Sequence, residues 1–238
     1  MRWLPSRLMM TVSLGDAWAH AVASLGIEPG PAVVAGPGAP AVAGALQAAG
    51  WPAAGIEELE FVLLGETPAG EVGDLTRLQS ESMSLVVLRR AWADRPGMVA
   101  ALRHAHRVLR PGGAAVAAVP DAEEMLGSSA IRYPERVAYS LVPAAAEALR
   151  RFSTRTLLSF EFPRSGFRDA VGFMIEEHHG TYPAVEAYVA ARAAAWESTG
   201  TAGAEMVADR AAEELRRISP LGPIVDRRPW FALAGFRS

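Results

Sequence analysis

The stretch SLVVLRRAWADRPGMVAALRHAHRVLRPGGAAVAAVP, residues 84–120, decides the fold. Leu85 to Leu88 and Ala114 to Val119 are apolar runs of strand length without strict alternation, the pattern of strands covered on both faces. Between them Met98, Ala101, Leu102, Ala105 and Leu109 make one helical stripe, which ends at Pro111, Gly112 and Gly113. Strand, helix, glycine stop and strand form a right-handed crossover, so a parallel sheet is implied. Gly112 and Gly113 are expected to let the helix end in a left-handed conformation and drop straight into a central strand.

Upstream lies PAVVAGPGAPAVAGAL, residues 31–46: a short strand over Ala32 to Ala35, a Gly-Pro-Gly turn, and a helix over Pro40 to Ala49. Pro40 is acceptable in the first turn because its missing N–H would be unpaired there. Leu59 to Leu64 reads as a further strand and residues 14–26 as an amphipathic helix that buries Trp18, Ala21 and Val22. Downstream, Pro143 to Phe152, Ala184 to Glu197 and Ala204 to Ile218 read as helices, and Phe173 to Glu177 and Trp230 to Phe236 as strands. There is no internal repeat or linker. The expectation is a single domain over 1–238, with a helical segment over 1–30 and helical lid or insert regions over 121–155 and 184–218.

Half of the 238 residues are hydrophobic, enough for a sizeable core. The formal net charge of -3 gives no electrostatic case for nucleic acid or an anionic membrane. No segment has the roughly 18 uninterrupted apolar residues that span a bilayer, so a cytoplasmic protein is expected. The chain has no cysteine, which excludes disulfides, thiolate metal sites and a cysteine nucleophile. It also has no lysine, which excludes Schiff-base chemistry and a phosphate-gripping P-loop.

Residues 84–120 resemble the fourth and fifth motifs of class I S-adenosylmethionine-dependent methyltransferases, above all the small-molecule kind. Arg107, Val108, Leu109, Pro111, Gly112 and Gly113 match the family's R-V-L-x-P-G-G turn. Gly36 and Gly38 match the G-x-G of its first motif. Gly73 and Asp74 look like its G-D before the fourth strand, Ser165 to Phe167 resemble the turn into its sixth strand, and RRPWFALAGFR looks like its antiparallel seventh strand. Val34, Pro40 and Ser84 depart from the pattern, standing where the family has an acidic residue, a third glycine and an aspartate.

The resemblance implies a three-layer α/β/α sandwich with a mostly parallel, seven-stranded sheet. It implies S-adenosylmethionine as cofactor, contacted by Gly36, Gly38, Leu88 and Arg89, with Asp74 at the adenine and Glu58, in the cluster Glu57, Glu58 and Glu60, at the ribose. Trp92, Tyr133 and Tyr139 are candidates for the acceptor's surroundings, and His178 and His179 for a general base. Adjacent residues on a strand point to opposite faces, so at most one of the two histidines serves. No metal site is expected. The function implied is methyl transfer to a small molecule, with a homodimer or protein partner as a further expectation. Two alternatives stand: a catalytically inactive, methyltransferase-like subunit, and an NAD(P)-binding protein, since G-P-G-A-P-A also satisfies G-x-G-x-x-A after a strand.

Overall fold

A computed structural model describes residues 2–3, 14–56, 73–90, 92, 94–152, 155–198, 203–219 and 223–238. In chain order the elements are β1 (Arg2–Trp3), α1 (Leu14–Ala23), β2 (Ala32–Ala35), α2 (Ala39–Ala48), β3 (Ala53–Ile56), α3 (Gly73–Arg77), β4 (Met83–Arg89), α4 (Arg95–Val108) and β5 (Leu109–Pro120). There follow α5 (Ala122–Gly127), α6 (Arg136–Leu141), α7 (Pro143–Phe152), α8 (Arg155–Arg164), β6 (Phe167–Tyr182), α9 (Val185–Ser198), α10 (Ala204–Ile218) and β7 (Ile224–Arg237).

The strands form one sheet in the order β1-β6-β7-β5-β4-β2-β3. Every neighbour pair is parallel except those made by β7, which runs antiparallel to both β5 and β6. Six strands have four residues or more; the seventh is the two-residue edge pairing of β1, an element the sequence reading placed in a helical segment. The expected strand over Leu59 to Leu64 lies outside the described residues.

Period-two alternation divides the sheet's side chains between two cores. Val33, Val86, Leu88, Ala115, Ala117 and Leu233 pack against α4 and α8 on one face. Val34, Leu85, Val87, Val116 and Ala232 pack against α1 and α2 on the other. These are the three layers expected. Both β6 and β7 outrun β5: its last residue, Pro120, pairs with Trp230, whereas Glu176 to Tyr182 and Ile224 to Pro229 continue as a two-stranded arm. Helices α6, α9 and α10 cover this arm with a core of their own that includes Val137, Tyr188, Val207 and Ile224.

The crossover differs from its sequence reading in one detail. Helix α4 ends at Val108 and Leu109 is already extended, so the left-handed turn comes later, at Gly112 with φ 77°. Gly113 is needed for close approach, since a Cβ there would sit 2.9 Å from the Arg110 carbonyl oxygen. Arg107 has a structural task of its own. Its guanidinium donates to the carbonyls of Leu75 at 2.8 Å, Thr76 at 3.3 Å and Leu78 at 2.9 Å, pinning the segment that leads into β4.

Candidate active site

In this sheet the parallel strands end on one side, where doubly wound folds place their ligands. Strand β2 ends there in the Gly-Pro-Gly turn. Gly36 has φ 109° and Gly38 φ 71°, values that L side chains rarely adopt. A Cβ on Gly36 would overlap the carbonyl oxygen of Arg89, so the turn is seated directly on the end of β4. Gly38 caps α2 without a side-chain hydrogen bond; Ala39 N–H donates to the Gly36 carbonyl and Pro40 has no N–H, so what the first turn presents outward is chiefly the positive end of the helix dipole. At the neighbouring strand end, a Cβ on Gly55 would come within 3.0 Å of the backbone of Ala39 and Pro40.

Strand β4 ends in two buried arginines, Arg89 and Arg90. The Arg89 guanidinium lies over the rings of Trp18 from α1, at 5.1 Å, and Trp230 from β7, at 4.7 Å. Its Nη2 donates to Oε1 of Glu177, and Trp18 Nε1 donates to the same oxygen at 2.6 Å. Glu177 is fully buried. Burial works to raise its pKa, but the charge of Arg89 and hydrogen bonds from His179 and Trp18 outweigh it and hold the carboxyl at about 2. Arg90 is held at φ 43°, an uncommon conformation for a residue with a side chain. Burial brings its pKa down to about 10, with Tyr139 opposing.

The arm carries the next layer. On one face of β6, His179 Nε2 lies 2.9 Å from Glu177 Oε2; on the other, Glu176 takes the hydroxyl of Tyr133 at 3.0 Å and the guanidinium of Arg132 at 2.9 Å. His178 is half-buried and bonds Thr181 at 2.9 Å. The register shifts between His178 and Gly180, a bulge of the kind that re-aims a side chain. Beyond the dyad lies a second buried ionic group. Glu135 pairs with Arg192 and Arg228, and Arg228 also reaches Asp226. Burial raises the pKa of Asp226, whereas the two arginines and His179 overcome burial at Glu135 and lower its pKa. Tyr139 and Tyr188 have theirs raised, chiefly by burial.

Gly36, Gly38, Arg89 and His179 thus form a continuous path from the turn, through the end of β4, to the arm. Two other candidates face away from it. Leu88 and Trp92 belong to the core beneath α4, because Leu88 alternates with Arg89 across the sheet and Trp92 packs with Met98. Tyr133 is committed to Glu176, and Tyr139 packs with α5 and α7. Asp74 falls within α3, and Glu58 lies outside the described residues. His104 and His106 stand apart, His106 packing edge-on against Phe167 at 5.5 Å. The sequence reading missed Glu177, Trp18 and Trp230 as members of the site. Only Glu177 left a local trace, two residues before His179 on a strand and hence on the same face. Among the described residues no group of three or more His, Cys, Asp or Glu could hold a metal ion, and no helix is long and apolar enough to cross a membrane.

The strand order decides between the two nucleotide-binding folds weighed from the sequence. An antiparallel β7 slotted between β5 and β6 departs from the dinucleotide order and meets the expectation from RRPWFALAGFR. The fold is that of class I methyltransferases. No protein-family model matches the chain, and no curated sequence matches it. Solved methyltransferases superpose on it at low identity. One is an S-adenosylmethionine-dependent methyltransferase from Archaeoglobus fulgidus, at 10% identity and TM-score 0.45 over 92% of each chain. Another is phosphoethanolamine N-methyltransferase 2 from Haemonchus contortus, at 10% identity and TM-score 0.40, over 92% of this chain and 52% of that one. A geranyl diphosphate methyltransferase covers 94% of this chain and 85% of its own at 12% identity and TM-score 0.40.

Proposed function

We propose that the chain transfers the methyl group of S-adenosylmethionine to a small-molecule acceptor, with His179 as general base. The observation that carries this reading is the path just described: a glycine turn with cofactor geometry rests on the same strand end whose arginine anchors a Glu177–His179 pair.

The backbone at the turn fits the cofactor. Two left-handed glycines let the main chain approach a ligand, and the start of α2 turns the positive end of its dipole toward the cofactor's carboxylate. Glu57 and Glu58 follow β3 directly in sequence and would supply the ribose contact; Asp74 would meet the adenine. Bound there, the cofactor supplies an electrophilic methyl group on a sulfonium.

The chain's own part is alignment and proton handling. Seating both reactants at one strand end turns a bimolecular displacement into an oriented one. His179 takes the acceptor's proton on the ring nitrogen that faces away from Glu177, and the buried carboxylate stabilises the imidazolium that results.

Calorimetric titration with S-adenosylhomocysteine tests the reading. One-site binding, lost in Gly36→Ala, is expected, and ligand at 100 times its dissociation constant should add about 2.7 kcal/mol of stability. An acceptor screen should then show turnover that His179→Ala abolishes. The absence of both heat and thermal shift in the intact protein would overturn it.

A further inference from the structure

We infer that Glu177, gripped by Trp18 and Arg89, is a positioning residue that fixes the tautomer of His179 and makes Nδ1 its proton-accepting atom. This rests on His179 as the proposed base, and it follows from donor inventory. An indole N–H and a guanidinium can only donate, and both donate to Oε1 of Glu177. That oxygen is therefore committed. Oε2 is left facing His179 Nε2 at 2.9 Å, and an ionised carboxylate can only accept. The hydrogen must sit on Nε2, and the lone pair of the neutral ring on Nδ1. The carboxylate cannot rotate away: its side chain is fully buried and its donors come from three elements, α1, β4 and the arm itself.

The same inventory predicts what Glu177→Gln does. Trp18 and Arg89 still require an acceptor, so the amide oxygen stays at the Oε1 position and the amide nitrogen replaces Oε2. It then donates to Nε2, which moves the hydrogen to Nδ1 and blocks the base without removing any side chain from the site.

Isotope-edited NMR of the histidine ring nitrogens reads this directly, at a pH where the ring is neutral. The expected result is an Nε2–H tautomer for His179 in the native protein and in Trp18→Phe, where Arg89 alone still holds Oε1. In Glu177→Gln the tautomer should switch to Nδ1–H. Turnover should fall roughly 1,000-fold with acceptor KM unchanged. A native Nδ1–H tautomer, or one that Glu177→Gln leaves unaltered, would overturn the inference. Should Glu177→Gln fail to fold, the native spectrum decides alone. A tautomer switch in a protein that binds no S-adenosylhomocysteine would uphold the positioning role and remove the methyltransferase reading.

Discussion

Arg89 and Arg107 sit at opposite ends of one β-α-β crossover and use the same functional group in opposite ways. Arg107 is half-buried at the foot of α4 and gives its hydrogens to three backbone carbonyls of residues 75–78. Arg89 is 2% exposed at the head of β4 and is tied to one buried carboxylate that in turn holds a histidine. The first arrangement holds a loop against the fold. The second holds a charge away from water and spends stability on orientation, since a buried ion pair rarely stabilises more than an apolar pair of the same volume would.

That contrast can be broken most forcefully at Arg89. Arg89→Met leaves Glu177 buried without its cation, and a loss of about 3–5 kcal/mol is expected in urea unfolding. A loss below about 1 kcal/mol would mean that water reaches the carboxylate and that the two arginines do similar work. Acid should expose the same pair from the other side. Glu177 titrates at about 2 in the folded protein against an ordinary 4.5, so its contribution is present above about pH 4.5 and is lost as pH falls toward 2. The total is roughly 3 kcal/mol, seen as a steepening of stability against pH that Glu177→Gln should lack. Arg107→Met is expected to cost about 2 kcal/mol through its carbonyl bonds, while leaving the heat of S-adenosylhomocysteine binding unchanged; altered binding would join the two ends functionally. The smallest effect belongs to Asp94, which caps α4 by accepting from Gly97 N at 2.7 Å. Asp94→Ala should lower stability by about 1 kcal/mol and nothing else.

The two ends also differ in how far the sequence exposed them. The foot of the crossover was legible because its determinants are local: a helical stripe, a glycine pair and apolar runs all fall within residues 84–120. Helices α7 and α10 were placed to the residue for the same reason. Helix α8 was missed because RTLLSFEFPR has no clear apolar stripe and contains Pro163. Strand β6 was read as only Phe173 to Glu177, though it runs from Phe167 to Tyr182. Its polar end, EEHHGTY, looks like a loop until Arg89, Arg132 and Thr181 are found to satisfy it. At the head of the crossover, His179 drew notice as a residue type, but what makes it a candidate base comes from Trp18 and Arg89. No spacing rule links Glu177 to residues 159 and 88 positions away. Pairing over such distances is set by the antiparallel return of β7, which brings β6 beside the central strands.

The rings of Trp18 and Trp230 meet edge-to-face with centroids 6.1 Å apart, and the Arg89 guanidinium lies over both. Two indoles held that closely at a fixed angle couple electronically, so the support of the proposed base carries its own chromophore. A ligand that shifts the end of β4, or a substitution that loosens Glu177, should change the near-ultraviolet circular dichroism of the unlabelled protein, before any acceptor for it is known.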